Sequence, residues 1–317
     1  MTKPVFIVGH PRSGTSLLHR SLGEHPHAVN FPLWQLEFPS LTARFLFKPY
    51  INYRIKNKII SYPHAGGGKR TGRPINPTAI DHDEYLFFAV LDSQLLFTFF
   101  GLALDEKSHE ELVYCDEQPH RRASARFLRK CFQRQMYTTG KSQVVAHVHH
   151  SAMRIKTLLE EFPDAKFIYL VRSPYEAIAS HHSLHFKSLT MRYGDYINID
   201  FSNPNVKRYF DKRYPYDCAL YRYVEELNDQ GQIPPEQFRS VRYHDLIDNM
   251  KATVDGLLEF TELPHTPEFD AKMEAKTESQ KGYQRKHEVK GLEFFGLNQE
   301  HVYNDLKFVF EKYNLDK

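Results

Sequence analysis

Short apolar runs alternate with amphipathic stretches along this chain. Val5-Phe6-Ile7-Val8 is closed by Gly9, and Val144-Val145-Ala146 and Phe167-Ile168-Tyr169-Leu170-Val171 repeat the pattern. Runs of this length bounded by turn residues read as buried strands. They predict strands at 4–9, 143–148, 166–171 and 238–242. Amphipathic spacing between them predicts helices at 14–24, 82–100, 118–139, 151–162, 174–187, 216–231 and 250–261, with helical segments through 37–60. Strands alternating with helices imply an α/β fold, a central parallel sheet flanked by helices on both faces. Ligands in such folds bind at the carboxyl ends of strands.

Two stretches interrupt the alternation. Residues 61–80 contain Pro63, Gly66-Gly67-Gly68, Gly72, Pro74 and Pro77 and read as a long loop. Residues 188–215 are polar and aromatic without clear period. Both read as irregular insertions in a single domain, 1–317. Arg44, Lys48, Arg54, Lys56, Lys58, Lys69, Arg70 and Arg73 make 44–73 basic. That region is a mobile lid in one reading and a solvated face in the other.

Charge and composition narrow the class. A net charge of +3 over 317 residues is too small to argue for nucleic acid. Cys115, Cys131 and Cys218 show no metal or redox spacing and fit a reducing compartment. The chain enters its first strand within a few residues, so the expected location is cytoplasmic. Leu86–Leu104 is long enough to span a membrane, but Asp92-Ser93-Gln94 sit at its centre. It reads as a buried or pocket-lining helix. Its phenylalanines form either ordinary core or an aromatic wall facing an apolar acceptor.

Chemistry enters at Gly9-His10-Pro11-Arg12-Ser13-Gly14-Thr15-Ser16. A strand, a glycine loop and a helix start make an anion site, because free N–H groups converge there with the positive end of the helix dipole. Gly9 and Gly14 fit the spacing of a nucleotide-triphosphate P-loop, which extends the fold expectation to a three-layer P-loop-type arrangement. The Lys that should follow Gly14 is replaced by Thr15, which equips the loop poorly for ATP or GTP hydrolysis. Arg12 supplies a cation instead, and Ser13, Thr15 and Ser16 supply hydroxyl groups.

The stretch His10-Pro11-Arg12-Ser13-Gly14-Thr15-Ser16-Leu17-Leu18-His19-Arg20 resembles the 5′-phosphosulfate-binding loop of sulfotransferases that use 3′-phosphoadenosine-5′-phosphosulfate (PAPS). Arg12 makes it most like the bacterial and Golgi-type branch. A second segment, Lys166–Val171 followed by Arg172-Ser173-Pro174 and Ser180, resembles the 3′-phosphate site of that family. Ser240-Val241-Arg242-Tyr243-His244-Asp245-Leu246 resembles its strand whose Tyr contacts adenine, which assigns that role to Tyr243. Lys281-Gly282-Tyr283-Gln284-Arg285-Lys286 resembles its C-terminal segment, which implies that Arg285 and Lys286 close over the 3′-phosphate.

What the resemblance implies is sulfuryl transfer from PAPS, leaving adenosine 3′,5′-bisphosphate, to a hydroxyl or amine of a small-molecule or glycan acceptor. Such a transfer needs in-line positioning, charge stabilisation on the departing oxygen and a general base, with no metal expected. Arg12 is the candidate for the departing oxygen. Val144-Val145-Ala146-His147-Val148-His149 resembles the strand that ends in Lys-Thr-His in the cytosolic branch, which makes His149 the candidate base and puts His147 in place of the Lys. In the bacterial branch a Glu after the first helix often serves. Gln35 stands at that position here, and Glu37 is the nearby alternative. The six histidines at 147, 149, 150, 181, 182 and 185 invite a zinc reading, but no Cys or carboxylate completes a pattern. Asp81-His82-Asp83-Glu84 reads either as an acceptor-orienting patch or as dipole-favoured acids at a helix start. The competing functions are a kinase-like ATP enzyme and a non-catalytic nucleotide-binding relative.

Overall fold

The structure is a computed structural model that describes residues 3–57, 76–100, 102, 111–281 and 288–316. Its centre is a five-stranded sheet in the order β2-β3-β1-β4-β5. The strands are β1 (Val5–Gly9), β2 (Ala28–Val29), β3 (Gln143–His147), β4 (Lys166–Val171) and β5 (Phe238–Arg242). All pairings are parallel, with Val5 beside Val145 on one side and Lys166 on the other.

Alternation along β1 serves both faces of the sheet. Phe6 and Val8 join one core with Phe132, Phe162 and Phe167. The Phe6 ring lies 5.4 Å from Phe162 and 5.5 Å from Phe167. Val5 and Ile7 join the opposite core with Leu18, Leu22, Ile168 and Val254. A central parallel strand buried on both faces reads as an unbroken apolar run, which is how the sequence presents it.

The helices that matter to the site are α1 (Thr15–Leu22), α2 (Leu33–Glu37), α3 (Leu41–Lys56), α4 (Glu84–Phe88), α5 (Leu95–Phe100), α6 (Arg121–Thr139), α7 (Ile155–Glu161), α8 (Pro174–Tyr193), α9 (Pro204–Asp229) and α10 (Tyr243–Asp248). Beyond them lie α11 (Met250–Thr261), α12 (Pro267–Lys281) and α13 (Gln299–Tyr313). The strand expectations hold, while β2, α2, α10, α12 and α13 are additional.

Several expectations are corrected. The segment 188–215 is not an irregular insertion: α8 runs to Tyr193 and α9 starts at Pro204, capped by Asn203, whose side chain accepts from the Asn205 N–H at 3.0 Å. α9 continues through Pro215, which removes one backbone donor without ending the helix. The expected helix at 82–100 is two helices. Between them Leu91 adopts φ 55°, and Asp92 turns inward to pair with Arg154 at 2.8 Å. Asp92, Ser93 and Gln94 are all buried, so the polar triplet marks an interior break. Of the helical stretch expected at 37–60, the described part is α3, which begins at Leu41 after Pro39, while α2 precedes it; the helix expected from 151 opens with a 3₁₀ segment, His149–Arg154. Most of the expected 61–80 loop and 44–73 lid lies outside the described residues. Among the described residues, no helix is long and apolar enough to cross a membrane.

One buried carboxylate joins the elements behind the strand ends. Asp217 of α9 accepts from His181 Nδ1 and His182 Nε2 of α8, both at 2.8 Å. It also pairs with His10 Nε2 at 3.1 Å, in the loop after β1. Burial by itself would raise the Asp217 pKa, but the His181 and His10 imidazoles hold it well below the usual carboxylate range. Removing one partner from such a cluster leaves buried polar groups unpaired. Asp217→Ala should therefore lower unfolding free energy by about 3–5 kcal/mol, read by urea denaturation. An unchanged midpoint would show that the three histidines do not depend on this residue.

Candidate active site

The ends of β1, β4 and β5 build one site. β1 terminates at Gly9, φ 139°, where a Cβ would stand 2.5 Å from the Leu170 carbonyl oxygen. Only glycine lets β4 pass so close. The chain then turns through His10-Pro11-Arg12-Ser13, with the Ser13 N–H bonded to the His10 carbonyl at 3.2 Å. Arg12 takes φ 75° and Gly14 φ 91°, after which α1 begins. No side chain caps α1. Its first-turn N–H groups and dipole therefore face the loop as the sequence pattern requires. Ser13 and Thr15 are buried, and Ser16 is exposed.

Cationic side chains from the two central strand ends interlock. Arg12 Nε donates to Ser180 Oγ of α8 at 3.1 Å. Arg172, which follows β4, donates from Nη1 to the Arg12 carbonyl at 2.9 Å and from Nε to Glu176 at 2.9 Å. Its guanidinium lies 4.2 Å from the centre of the Tyr243 ring. Tyr243, the first residue of α10, also packs on Gly14, where a Cβ would come within 2.9 Å of its ring. Thus Arg12, Gly14, Arg172, Ser180 and Tyr243, widely separated in sequence, meet at one place. Ser180, which the resemblance pairs with Arg172 at the 3′-phosphate, accepts from Arg12. Arg285 and Lys286 lie outside the described residues.

The position is the switch point of the sheet. From β1 the chain leaves toward β2 at one edge, and from β4 it leaves toward β5 at the other. The crevice between divergent strands is where open α/β sheets bind ligands.

Histidines line the neighbouring wall. The His149 ring lies 4.7 Å from His147, 4.2 Å from His150 and 5.2 Å from His82. Burial lowers the His149 pKa well below 6.5, and the positive charges of His82, His181, His10 and Arg12 lower it further. At neutral pH this imidazole is uncharged, and its Nδ1 is buried with no hydrogen-bond partner among the described residues. His147 is also held neutral by burial, and its backbone N–H donates to Asp83 at 2.7 Å.

Glu37 is exposed at the end of α2 and close enough to Tyr85 to add, after burial and Asp81, to the rise in that phenol's pKa. Tyr85 stacks on His82 at 4.5 Å, so Glu37 stands toward the far side of the histidine wall. Gln35 is occupied by structure: it accepts from Gln135 at 2.8 Å, and its carbonyl accepts from Arg44 at 3.1 Å. Asp83 and Glu84 stand at the start of α4 but are interior carboxylates. Burial lifts Asp83 well above its ordinary range and lifts Glu84 to about 7, although Arg154 and Ser151 oppose the rise at Glu84.

Sequence reasoning missed the contribution of α9. Tyr209, Arg213, Asp217 and Tyr221 recur every four residues and are buried on one face. Tyr221 donates to the Arg172 carbonyl at 3.1 Å and stacks on His10 at 5.1 Å. That spacing was the available signal, obscured by the aromatic and charged character of the stretch. Asp217 also supplies the carboxylate that the histidine pattern lacked. His10, His181 and Asp217 bring three potential metal-ligating atoms within 4.8 Å of one another. Those atoms already bond to one another, and Arg213 Nη2 stands 3.2 Å from His181 Nε2, a cation where a metal would add another.

Comparison with known proteins agrees with this geometry. Two curated relatives from Mycobacterium bovis and Mycobacterium tuberculosis, each named omega-hydroxy-beta-dihydromenaquinone-9 sulfotransferase Stf3, are 28% identical over 250 residues. The match covers 77% of this chain and 58% of theirs, so the chain spans little more than half of their length. The crystal structure of sulfotransferase STF9 from Mycobacterium avium superposes with a TM-score of 0.76 at 17% identity, covering 99% of this chain and 78% of that one. Sulfotransferase STF1 from Mycobacterium tuberculosis gives 0.67 at 20% identity, over 96% and 76%. These two establish the shared fold. A family model described as the sulfotransferase family matches residues 4–267. With the match spanning most of the chain, the kinase-like alternative falls away, and the protein belongs to the sulfotransferase family.

Proposed function

We propose that this chain transfers a sulfuryl group from PAPS to a hydroxyl or amine of a small-molecule or glycan acceptor. The observation that carries the reading is the interlock of Arg12 and Arg172 across the β1/β4 crevice. Two guanidinium groups at one switch point suit a nucleotide with anionic groups at both ends. Arg12, Ser13, Gly14, Thr15 and Ser16 would hold the 5′-phosphosulfate, Arg172 and Ser180 the 3′-phosphate, and Tyr243 the adenine. Arg285 and Lys286 are proposed to complete the 3′-phosphate pocket.

The chemistry follows from charge. As the acceptor attacks sulfur in line, negative charge grows on the oxygen that bridges to the departing phosphate. Arg12 is placed in the loop to meet that charge, and as a pre-positioned cation it needs no reorganisation at the moment of reaction. The acceptor must lose a proton. His149, neutral at pH 7 and near Arg12, is the proposed base. Glu37 is the second candidate, supported by its place beyond Tyr85.

The acceptor is proposed to be small and partly apolar, a reading supported by the uncharged histidine wall; Phe87 and Phe97 belong to the core. The lipid acceptor in the name of the mycobacterial relatives is consistent with it.

Four measurements test these assignments. Arg172→Ala should weaken adenosine 3′,5′-bisphosphate binding about 10–100-fold by calorimetry and leave adenosine 5′-phosphate binding nearly unchanged. Equal losses for both ligands would reject the 3′-phosphate role. Arg12→Ala should slow single-turnover sulfuryl transfer about 10²–10³-fold. For the base, His149→Ala should slow the same step about 10²–10⁴-fold while Glu37→Gln does not, and the reverse ranking would transfer the role to Glu37. Because the His149 pKa is depressed, its base form persists into acid. The wild-type rate should stay flat on lowering the pH through 6.5 and fall only below it. A half-maximal rate at or above pH 6.5 would contradict His149 as the base.

A further inference from the structure

Helix α3 presents its apolar side to solvent. At 100° per residue, Phe45, Pro49, Tyr53, Leu46 and Tyr50 fall within an arc of about 140°. Arg44 and Ile51, the buried residues of α3, lie diametrically opposite that arc. The outward side chains are open: Phe45 is 79% exposed, Leu46 66%, Tyr53 60% and Tyr50 52%. A soluble surface helix has the reverse arrangement, with its apolar stripe against the core.

The helix is held firmly in that orientation. Arg44 donates to the Phe38 carbonyl at 2.8 Å, to Gln135 Oε1 at 2.7 Å and to the Gln35 carbonyl at 3.1 Å. Phe47 stacks on Phe38 at 4.4 Å, one residue beyond Glu37. The ridge is therefore a built feature attached to the acceptor side of the site.

Charge selects the occupant. Leu41–Lys56 contains no Asp or Glu and carries Lys48 and Arg54 on either side of the apolar arc and Lys56 within it, at the helix's last residue. The sequence from Phe38 to Ile80 has eight Lys or Arg and no acid, which leaves −5 for the rest of a chain whose net charge is +3. Outward aromatic and aliphatic side chains flanked by cations form the pattern of helices that lie in a membrane interface, with the rings among the acyl chains and the cations on anionic headgroups. A second copy fits less well, because a two-fold contact through α3 would set like cations against one another.

We propose that α3 docks this protein on the surface of an anionic bilayer, through Phe45, Leu46, Tyr50 and Tyr53 with Lys48 and Lys56. Docking there sets the Glu37 end of the site beside the membrane, where membrane-dissolved molecules are concentrated. The proposal stands on the surface of α3 alone and does not rest on the donor or base assignments.

Co-sedimentation with vesicles tests it. The wild-type chain should bind phosphatidylcholine vesicles containing about 30% phosphatidylglycerol, bind pure phosphatidylcholine far more weakly, and release as salt is raised. Leu46→Glu and Tyr53→Glu, at opposite ends of the ridge, should each reduce the partition coefficient about tenfold or more. Lys48→Glu should reduce it about fivefold on the anionic vesicles only. Circular dichroism and melting temperature check that each variant folds, and the exposure of all three positions predicts wild-type values. Failure of the wild-type chain to bind anionic vesicles overturns the proposal, as does equal binding by wild type and both ridge variants. Sedimentation velocity showing a wild-type dimer that Leu46→Glu dissociates would also overturn it, by assigning the ridge to a second copy.

Discussion

The Asp217 carboxylate is the tie on which the site's geometry depends. It is fully buried, and through three imidazoles it connects the loop after β1 to α8 and α9. His10 opens the loop that carries Arg12, and His181 follows Ser180, to which Arg12 bonds. Both anion cradles are thus referenced to a single charged group. A buried charge is tolerated only when it is paired, and here the partners come from two elements, the loop after β1 and α8. Gathering three imidazoles on one carboxylate of α9 fixes that loop relative to α8 and α9.

Burial also sets the protonation of the histidine wall. His147, His149, His150 and His185 all have pKa values driven well below 6.5, first by desolvation and then by neighbouring histidines and arginines. Nearby, Asp83 and Glu84 are pushed the other way by the same desolvation. The region is therefore less charged at pH 7 than its residue types suggest, and the cations that face the crevice are arginines, which do not lose their protons. The crevice therefore sets neutral imidazoles beside fixed positive charge.

How much of this was legible depends on how local each signal is. The loop from Gly9 to Thr15 is specified by contiguous residues: an apolar strand, two glycines at positive φ and a helix start. Arg172 and Pro174 after β4 are equally local. These read correctly because backbone geometry and short-range donors create them. The 188–215 stretch misled because α9 buries the polar Tyr209 and Arg213 among the apolar Val206, Phe210 and Tyr214, which blurs the period. The 82–100 stretch misled for the related reason that Asp92 is satisfied by Arg154, 62 residues away in sequence.

By itself, then, the sequence determined the parallel sheet, the glycine turn from β1 into α1 and the cationic end of β4, since each follows from period, glycine and spacing within about twenty residues. Tertiary structure alone decided that Arg12 bonds Ser180, that Arg172 lies on Tyr243, that Asp217 gathers three histidines and that α3 turns its rings outward. These depend on which distant groups share a buried volume or are left without a neighbour. Desolvation and long-range hydrogen bonding act through space, and one-dimensional order does not encode them directly.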